Sequence, residues 1–204
     1  MKKILGAHNA NTYLKPRKWW MRLINFTSKC QKLTITEQLE HGVRYFDFRI
    51  RLDEKKVDFI NCHGLVEYES SVNALIEDIS SFCRNTKEHV HIRFVYDDTF
   101  IKRTYDSIIY DLFKVSLYFT TPYNYLSWEI IRKSDWQKIA DSENNSPLEI
   151  VDCFKNYRGY KWIPWPRWWA KKNNKRLKKF MDEYQKGTPD KDTVFLFDFV
   201  EQST

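Results

Sequence analysis

No two cysteines stand at Cys-x-x-Cys spacing, so the chain shows neither a zinc motif nor a dithiol redox motif. Cys30, Cys62, Cys83 and Cys153 are scattered among apolar residues, where thiols are usually buried and inert. No stretch is apolar enough, for long enough, to cross a bilayer. The start, Met1-Lys2-Lys3, resembles a secretory n-region, but polar His8, Asn9 and Asn11 replace the apolar segment that should follow. The expectation is a leaderless, cytoplasmic protein. Internal repeats and low-complexity linkers are also missing, and 204 residues suit a single domain, 1–204.

Aromatic residues are abundant: 8 Trp, 12 Tyr and 14 Phe. Such residues stiffen cores, and they also serve membrane interfaces and sugar-binding surfaces. The net charge of +7 favours anionic partners. Apolar runs alternate with helix-like segments, the pattern of an α/β protein. Strands are expected at 3–8, 43–51, 57–62, 89–96, 148–154 and 193–200, with a less distinct one near 125–132. Helices are expected at 34–41, 71–84, 99–114 and 174–186. Thr34 and Glu37 stand at capping-box spacing, and Gly42 stops that first helix. Strand and helix in alternation imply parallel pairing with right-handed crossovers. The expected fold class is therefore α/β, a compact distorted TIM-like barrel, with an open doubly wound sheet as the alternative.

The segment 43–51 alternates strictly. Tyr45, Asp47 and Arg49 fall on one face, and Phe46, Phe48 and Ile50 on the other. Two opposite charges inside a barrel are tolerable only as a bonded pair. Either they form an ordinary core ion pair, or a carboxylate holds an arginine aimed at a phosphate. In 193–200 the residues Phe195, Phe197 and Phe199 share one face, which leaves Asp198 on the interior face near a strand end. His8 and His63 each close an apolar strand. In a barrel, catalytic groups gather at the C-terminal ends of strands.

Three segments reach a known family: Gly6-Ala7-His8-Asn9-Ala10-Asn11-Thr12-Tyr13; Gln38 through Arg49, with its Asp47-Phe48-Arg49; and Cys62-His63-Gly64. Together they resemble the X-domain of phosphatidylinositol-specific phospholipase C over residues 1–100. Asp152-Cys153-Phe154 and Phe197-Asp198-Phe199-Val200 resemble its later strand ends. The resemblance implies a TIM-like barrel and a phosphodiesterase that acts by attack of the substrate's own hydroxyl. It implies His8 as general base, His63 as general acid and Arg49 as phosphoryl ligand. Asp198 would orient His8, and Asp47 would hold Arg49 or His63. Asp152 and Phe154 would meet an inositol ring, with Arg93 and Arg132 as further contacts or as plain surface arginines. The bacterial pattern has Asp directly after the first His, and that Asp supports the general acid. Asn9 stands there instead, so the strength of His63 is in question. Asn9 also suits the calcium-dependent branch. Because Arg49 would repel a cation, no metal is expected, and calcium at Asn9 and Asp47 is the lesser reading.

Residues 15–22 set Trp19 and Trp20 among basic residues, and 161–176 repeat that theme. Trp with Lys and Arg fits an anionic membrane surface, although the same mix binds single-stranded nucleic acid or simply packs loops. The expected partner is a phospholipid or another phosphodiester met at a membrane by a monomer; nucleic acid is not expected. The alternatives are a glycerophosphodiester phosphodiesterase-like enzyme, whose Glu-x-Asp metal motif is replaced here by Asp47-Phe48-Arg49, and a catalytically weak lipid- or nucleic-acid-binding module.

Overall fold

Strict alternation makes the central strand. In β2 (Tyr45–Asp53) the rings of Phe46 and Phe48 enter one core, while Tyr45 enters another. The computed structural model describes residues 2–53, 58–97, 125–133, 148–152, 166–184 and 192–202. Around β2 stand β1 (Lys3–Ala7), β3 (Asp58–His63), β4 (Val66–Ser71), β5 (Val90–Tyr96), β6 (Leu126–Arg132), β7 (Leu148–Asp152) and β8 (Asp192–Phe197). The described helices are α1 (Trp19–Ile24), α2 (Ile35–Glu40), α3 (Val72–Thr86) and α4 (Pro166–Glu183).

Six strands run parallel in the order β7-β8-β1-β2-β5-β6. The fold is mixed α/β, as expected. Closure into a barrel is not seen: β6 and β7, at the two ends of this ladder, do not pair among the described residues. One expectation needs correcting outright. β3 runs antiparallel to β2, and β4 antiparallel to β3. β2 and β3 form a hairpin that pairs Asp53 with Asp58, and Gly64, with φ 59°, turns the chain back again into β4. The sequence reading had no strand at 66–71.

β1 and β3 divide one edge of β2 between them. β1 pairs with Tyr45 and Phe46, and β3 pairs from Ile50 to Asp53. At the break between them, Asn11 Nδ2 donates to the Arg49 carbonyl at 2.8 Å. His63, at the end of β3, therefore descends toward the place where β1 ends and His8 begins. The two histidines meet by opposite routes, not at the ends of two parallel strands.

The faces follow the alternation. Phe46, Phe48, Ile50, Phe94, Phe195 and Phe197 pack with α2 and α3 residues such as Leu39, Leu75, Ile76 and Ile79. Tyr45, Ile4, Val194 and Leu196 fill the other side of the sheet. Gly6 lies on this crowded side: a Cβ there would come within 2.7 Å of Leu196 Cδ2 and 3.0 Å of Val194 Cγ1. The capping box of α2 is formed, with Glu37 N donating to Thr34 Oγ1 and Thr34 N to Glu37 Oε2. Gly42 follows with φ 95°. α4 begins earlier than expected, at Pro166, the residue type favoured in a first helical turn. β8 stops at Phe197, and Phe199 takes φ 49° where the strand was expected to continue. Asn174 of α4 donates to the carbonyls of Asp198 and Phe199 and holds that turn. The helix expected at 99–114 lies outside the described residues.

Candidate active site

His8 is the first residue after β1, and its amide donates to the Phe197 carbonyl at 2.9 Å. β1 and β8 pair in register up to Ala7 and Phe197, so the residues that follow each strand, His8 and Asp198, face one another. His8 Nδ1 lies 2.9 Å from Asp198 Oδ1, with both residues almost fully buried. A carboxylate can only accept here, so Nδ1 carries the proton and Nε2 keeps a lone pair when the ring is neutral. Nε2 stands 3.7 Å from Asp47 Oδ2. The site thus contains a base-type histidine oriented by one carboxylate and flanked by a second.

Asp47 does not hold Arg49 or His63. Its Oδ1 takes Arg93 Nε at 3.3 Å. Burial would raise the Asp47 carboxyl, but the charges of Arg93, His8 and Arg49 outweigh it and hold the carboxyl below its ordinary value. Arg93 is accordingly no surface arginine. It is buried, with its guanidinium over the Tyr45 ring at 5.5 Å. Since Arg93 neutralises Asp47, Arg49 is left over. Arg49 Nε is buried without a hydrogen-bond partner among the described residues. A charged donor left in that condition is costly unless a ligand completes it.

His63 Nδ1 donates to the Ser28 carbonyl at 2.6 Å, which again leaves Nε2 open. Burial and then the Arg49 charge push this imidazole well below its ordinary value. No carboxylate contacts it through a described bond, and Asn9 is not its partner either. The Asn9 amide nitrogen lies 3.3 Å from His8 Nδ1 and 3.2 Å from His8 Nε2. Near-equal distances to both nitrogens place it over the face of the ring, outside the plane in which a ring nitrogen bonds. It also reaches Cys30 Sγ at 3.5 Å. Asn9 has φ 46° and ψ 51°, left-handed values that asparagine tolerates better than most residues.

The segment 28–31, which carries no motif, builds much of the site. Cys30 Sγ is 3.8 Å from His63 Nδ1. Its thiol is fully buried and pushed well above its ordinary value by burial and then by the Asp198 charge. Gln31 Nε2 donates to the carbonyls of His8 and Phe197, at 3.0 and 2.8 Å, while Oε1 accepts from Val200 N. Thr12 Oγ1 accepts from the amides of Cys30 and Gln31. Gln31 therefore clasps the ends of β1 and β8, and positions the His8–Asp198 pair. Gln31→Leu leaves the His8 carbonyl and the Val200 amide unpaired, at about 1–3 kcal/mol each, while the Phe197 carbonyl keeps its bond from the His8 amide. Urea unfolding should show a loss of at least about 2 kcal/mol; a change under about 1 kcal/mol would show that the clasp is dispensable. A polar residue within an unpatterned loop gave no sequence signal for this role.

The structure brings His8, Asn9, Asp47, Arg49, His63 and Asp198 into one cluster, with Arg93 behind Asp47. At the same rim, buried Asp97 follows β5 and binds Lys133, which follows β6, at 3.1 Å; the sequence reading missed both. Arg132 and Asp152 end β6 and β7, and their side chains lie outside the described residues, as does Phe154. Trp19 and Trp20 do not join the cluster. They lie on α1, 72% and 39% exposed, beside exposed Leu23 and Phe26.

This combination defines an α/β protein with a histidine–carboxylate site at the C-terminal ends of its parallel strands. The solved structures with this fold include phosphatidylinositol-specific phospholipase C from Listeria monocytogenes, with TM-score 0.66 and 14% identity over 99% of this chain and 90% of that one. They also include a pentafluoro-Phe form of the Staphylococcus aureus enzyme, with TM-score 0.60 and 13% identity over 96% and 85%. No protein-family model and no curated sequence matches the chain.

Proposed function

We propose that the protein is a phosphodiesterase of the phospholipase C kind that cleaves an inositol phospholipid to a cyclic phosphodiester. The observation that carries this reading is the His8–Asp198 pair at 2.9 Å, set beside an arginine whose buried Nε has no partner among the described residues. In this reading His8 Nε2 takes the proton from a ring hydroxyl of the substrate. That oxygen attacks phosphorus while Arg49 holds the phosphoryl oxygens. The lipid oxygen leaves with a proton from His63. Asp198 stabilises the imidazolium formed on His8. Asp97 and Lys133 suit ring hydroxyls, as do Asp152, Phe154 and Arg132 in the sequence reading.

His63 must be protonated to act as an acid, and burial and Arg49 both oppose this. A bound phosphate neutralises Arg49 and removes one of these two opponents. Because the free-site value is depressed, the protonated fraction falls as pH rises. Cleavage of lipid should accordingly be faster on the acid side of neutrality.

The membrane reading fits the surface beside His63. Leu65 follows it by two residues and is 58% exposed, and Phe26 lies two residues before Ser28. Arg17 pairs with Asp53, Lys15 with Glu69 and Lys18 with Glu67, while Arg22 stands exposed among the apolar residues of α1. No described helix is long and apolar enough to cross a membrane. The solved structures with this fold include S. aureus forms described by their membrane binding, which supports a peripheral mode here.

The test is phosphorus NMR of phosphatidylinositol vesicles incubated with the protein in the presence of EDTA. A cyclic inositol phosphodiester should appear. Loss of all turnover with EDTA and its return with calcium would favour an ion at Asn9 and Asp47. Turnover of glycerophosphodiesters alone would replace the reading by its nearest rival.

A further inference from the structure

The site contains a thiol that the proposed chemistry does not use. A ring nitrogen of His8, Cys30 Sγ and a carboxylate oxygen of Asp198 all lie within 4.8 Å of one another, and all three residues are buried. We propose that these three side chains form a binding site for a thiophilic divalent cation of the zinc class, and that occupancy blocks His8. The blockade rests on the function proposed above; the site itself does not.

Nitrogen, sulfur and carboxylate oxygen are the donors zinc takes, at about 2.0–2.3 Å in tetrahedral geometry. Those lengths set donor–donor separations at roughly 3.3–3.6 Å, so the His8–Asp198 distance of 2.9 Å needs to open by only a few tenths of an ångström. Asn9 supplies the support a metal-bound sulfur requires: its amide nitrogen, 3.5 Å from Cys30 Sγ, donates to a thiolate. Its Oδ1 is buried without a partner among the described residues and is available as a further oxygen donor. Calcium and magnesium, which need six or more oxygens, are not served by this set.

Cys30 S–H releases its proton to solvent and a metal–sulfur bond forms, while Asp198 and neutral His8 each give a lone pair. The His8 ring proton moves to whichever ring nitrogen the metal does not use. A ring held in this way cannot take a proton from a substrate hydroxyl.

Cobalt(II) titrated into the full chain tests the site without reference to activity. The expected result is one equivalent bound, with a sulfur-to-cobalt charge-transfer band that zinc abolishes. The band should vanish in Cys30→Ser, while Cys62→Ser and Cys83→Ser keep it. Absence of a thiolate band in the unaltered protein, or its survival in Cys30→Ser, overturns the proposal; the first outcome requires no variant to fold. If phosphatidylinositol cleavage is found, zinc should remove it and EDTA restore it. Undiminished cleavage with zinc bound overturns the blockade alone.

Discussion

His8→Ala should lower turnover of phosphatidylinositol by roughly 10²–10⁴-fold, the usual contribution of a general acid–base group. The geometry explains why no neighbour takes over. The nearest carboxylate to His8 Nε2 is Asp47, and the charge of Arg93 holds it below its ordinary value, which makes it a weak base. Asp198→Asn provides the sharper form of the same test. The Asp198 carboxylate accepts from His8 Nδ1 at 2.9 Å and so keeps Nε2 unprotonated in the neutral ring. A carboxamide can donate to Nδ1 instead, which moves the ring proton to Nε2 and leaves nothing there to accept one. Asp198→Asn should therefore lose kcat by a similar factor with KM little changed. The fold should be preserved, because the Asp198 backbone carbonyl still accepts from Asn174. Initial rates on lipid vesicles measure both variants. Activity within about threefold of the unaltered protein in either one would remove His8 from the chemistry.

Arg49→Lys should be almost as damaging, at roughly 10²–10³-fold, the range found when one donor to developing charge is removed. Lysine keeps the positive charge but loses the planar fork, and its shorter, rounder head cannot offer two parallel bonds to a phosphoryl group. Arg49 can be spared for a ligand because Asp47, its neighbour on the same face of β2, is already matched by Arg93. The loss should appear in kcat/KM, and inorganic phosphate should inhibit Arg49→Lys less than the unaltered protein. An Arg49→Lys variant with near-normal kcat/KM would show that the unpartnered Nε has no role in substrate binding.

Much of this site was legible because it is written in short periodic units. Alternation alone placed Tyr45, Asp47 and Arg49 together on β2, and it separated Phe195 and Phe197 from Val194 and Leu196 on β8. The end of each strand then set His8 and Asp198 at one level. Less legible was whatever depended on which strand lies beside which. Asp47 was expected to serve Arg49 or His63, but β5 pairs with β2 in a register that sets Arg93 directly opposite Asp47. β3, expected to run parallel, returns antiparallel along β2, and the turn at Gly64 adds a strand, β4, where none was expected. The loop residues Cys30 and Gln31 act through backbone carbonyls and buried contacts, which leave no periodic trace in a sequence. Asn9 was read as standing where the bacterial pattern has the Asp that supports the general acid, yet its amide lies over the His8 ring.

The His8–Asp198 pair joins residues 190 positions apart, each the first residue after its strand at one end of the β1–β8 ladder. Closing a loop of that length is costly in chain entropy and slow. The orienting carboxylate reaches the histidine only after β8 has docked against β1. A chain still emerging from the ribosome, with β1 through β5 already built, carries His8, Arg49 and His63 but no competent base. If His8 acts as the base in the function proposed above, competence arrives only at the last long-range step of folding.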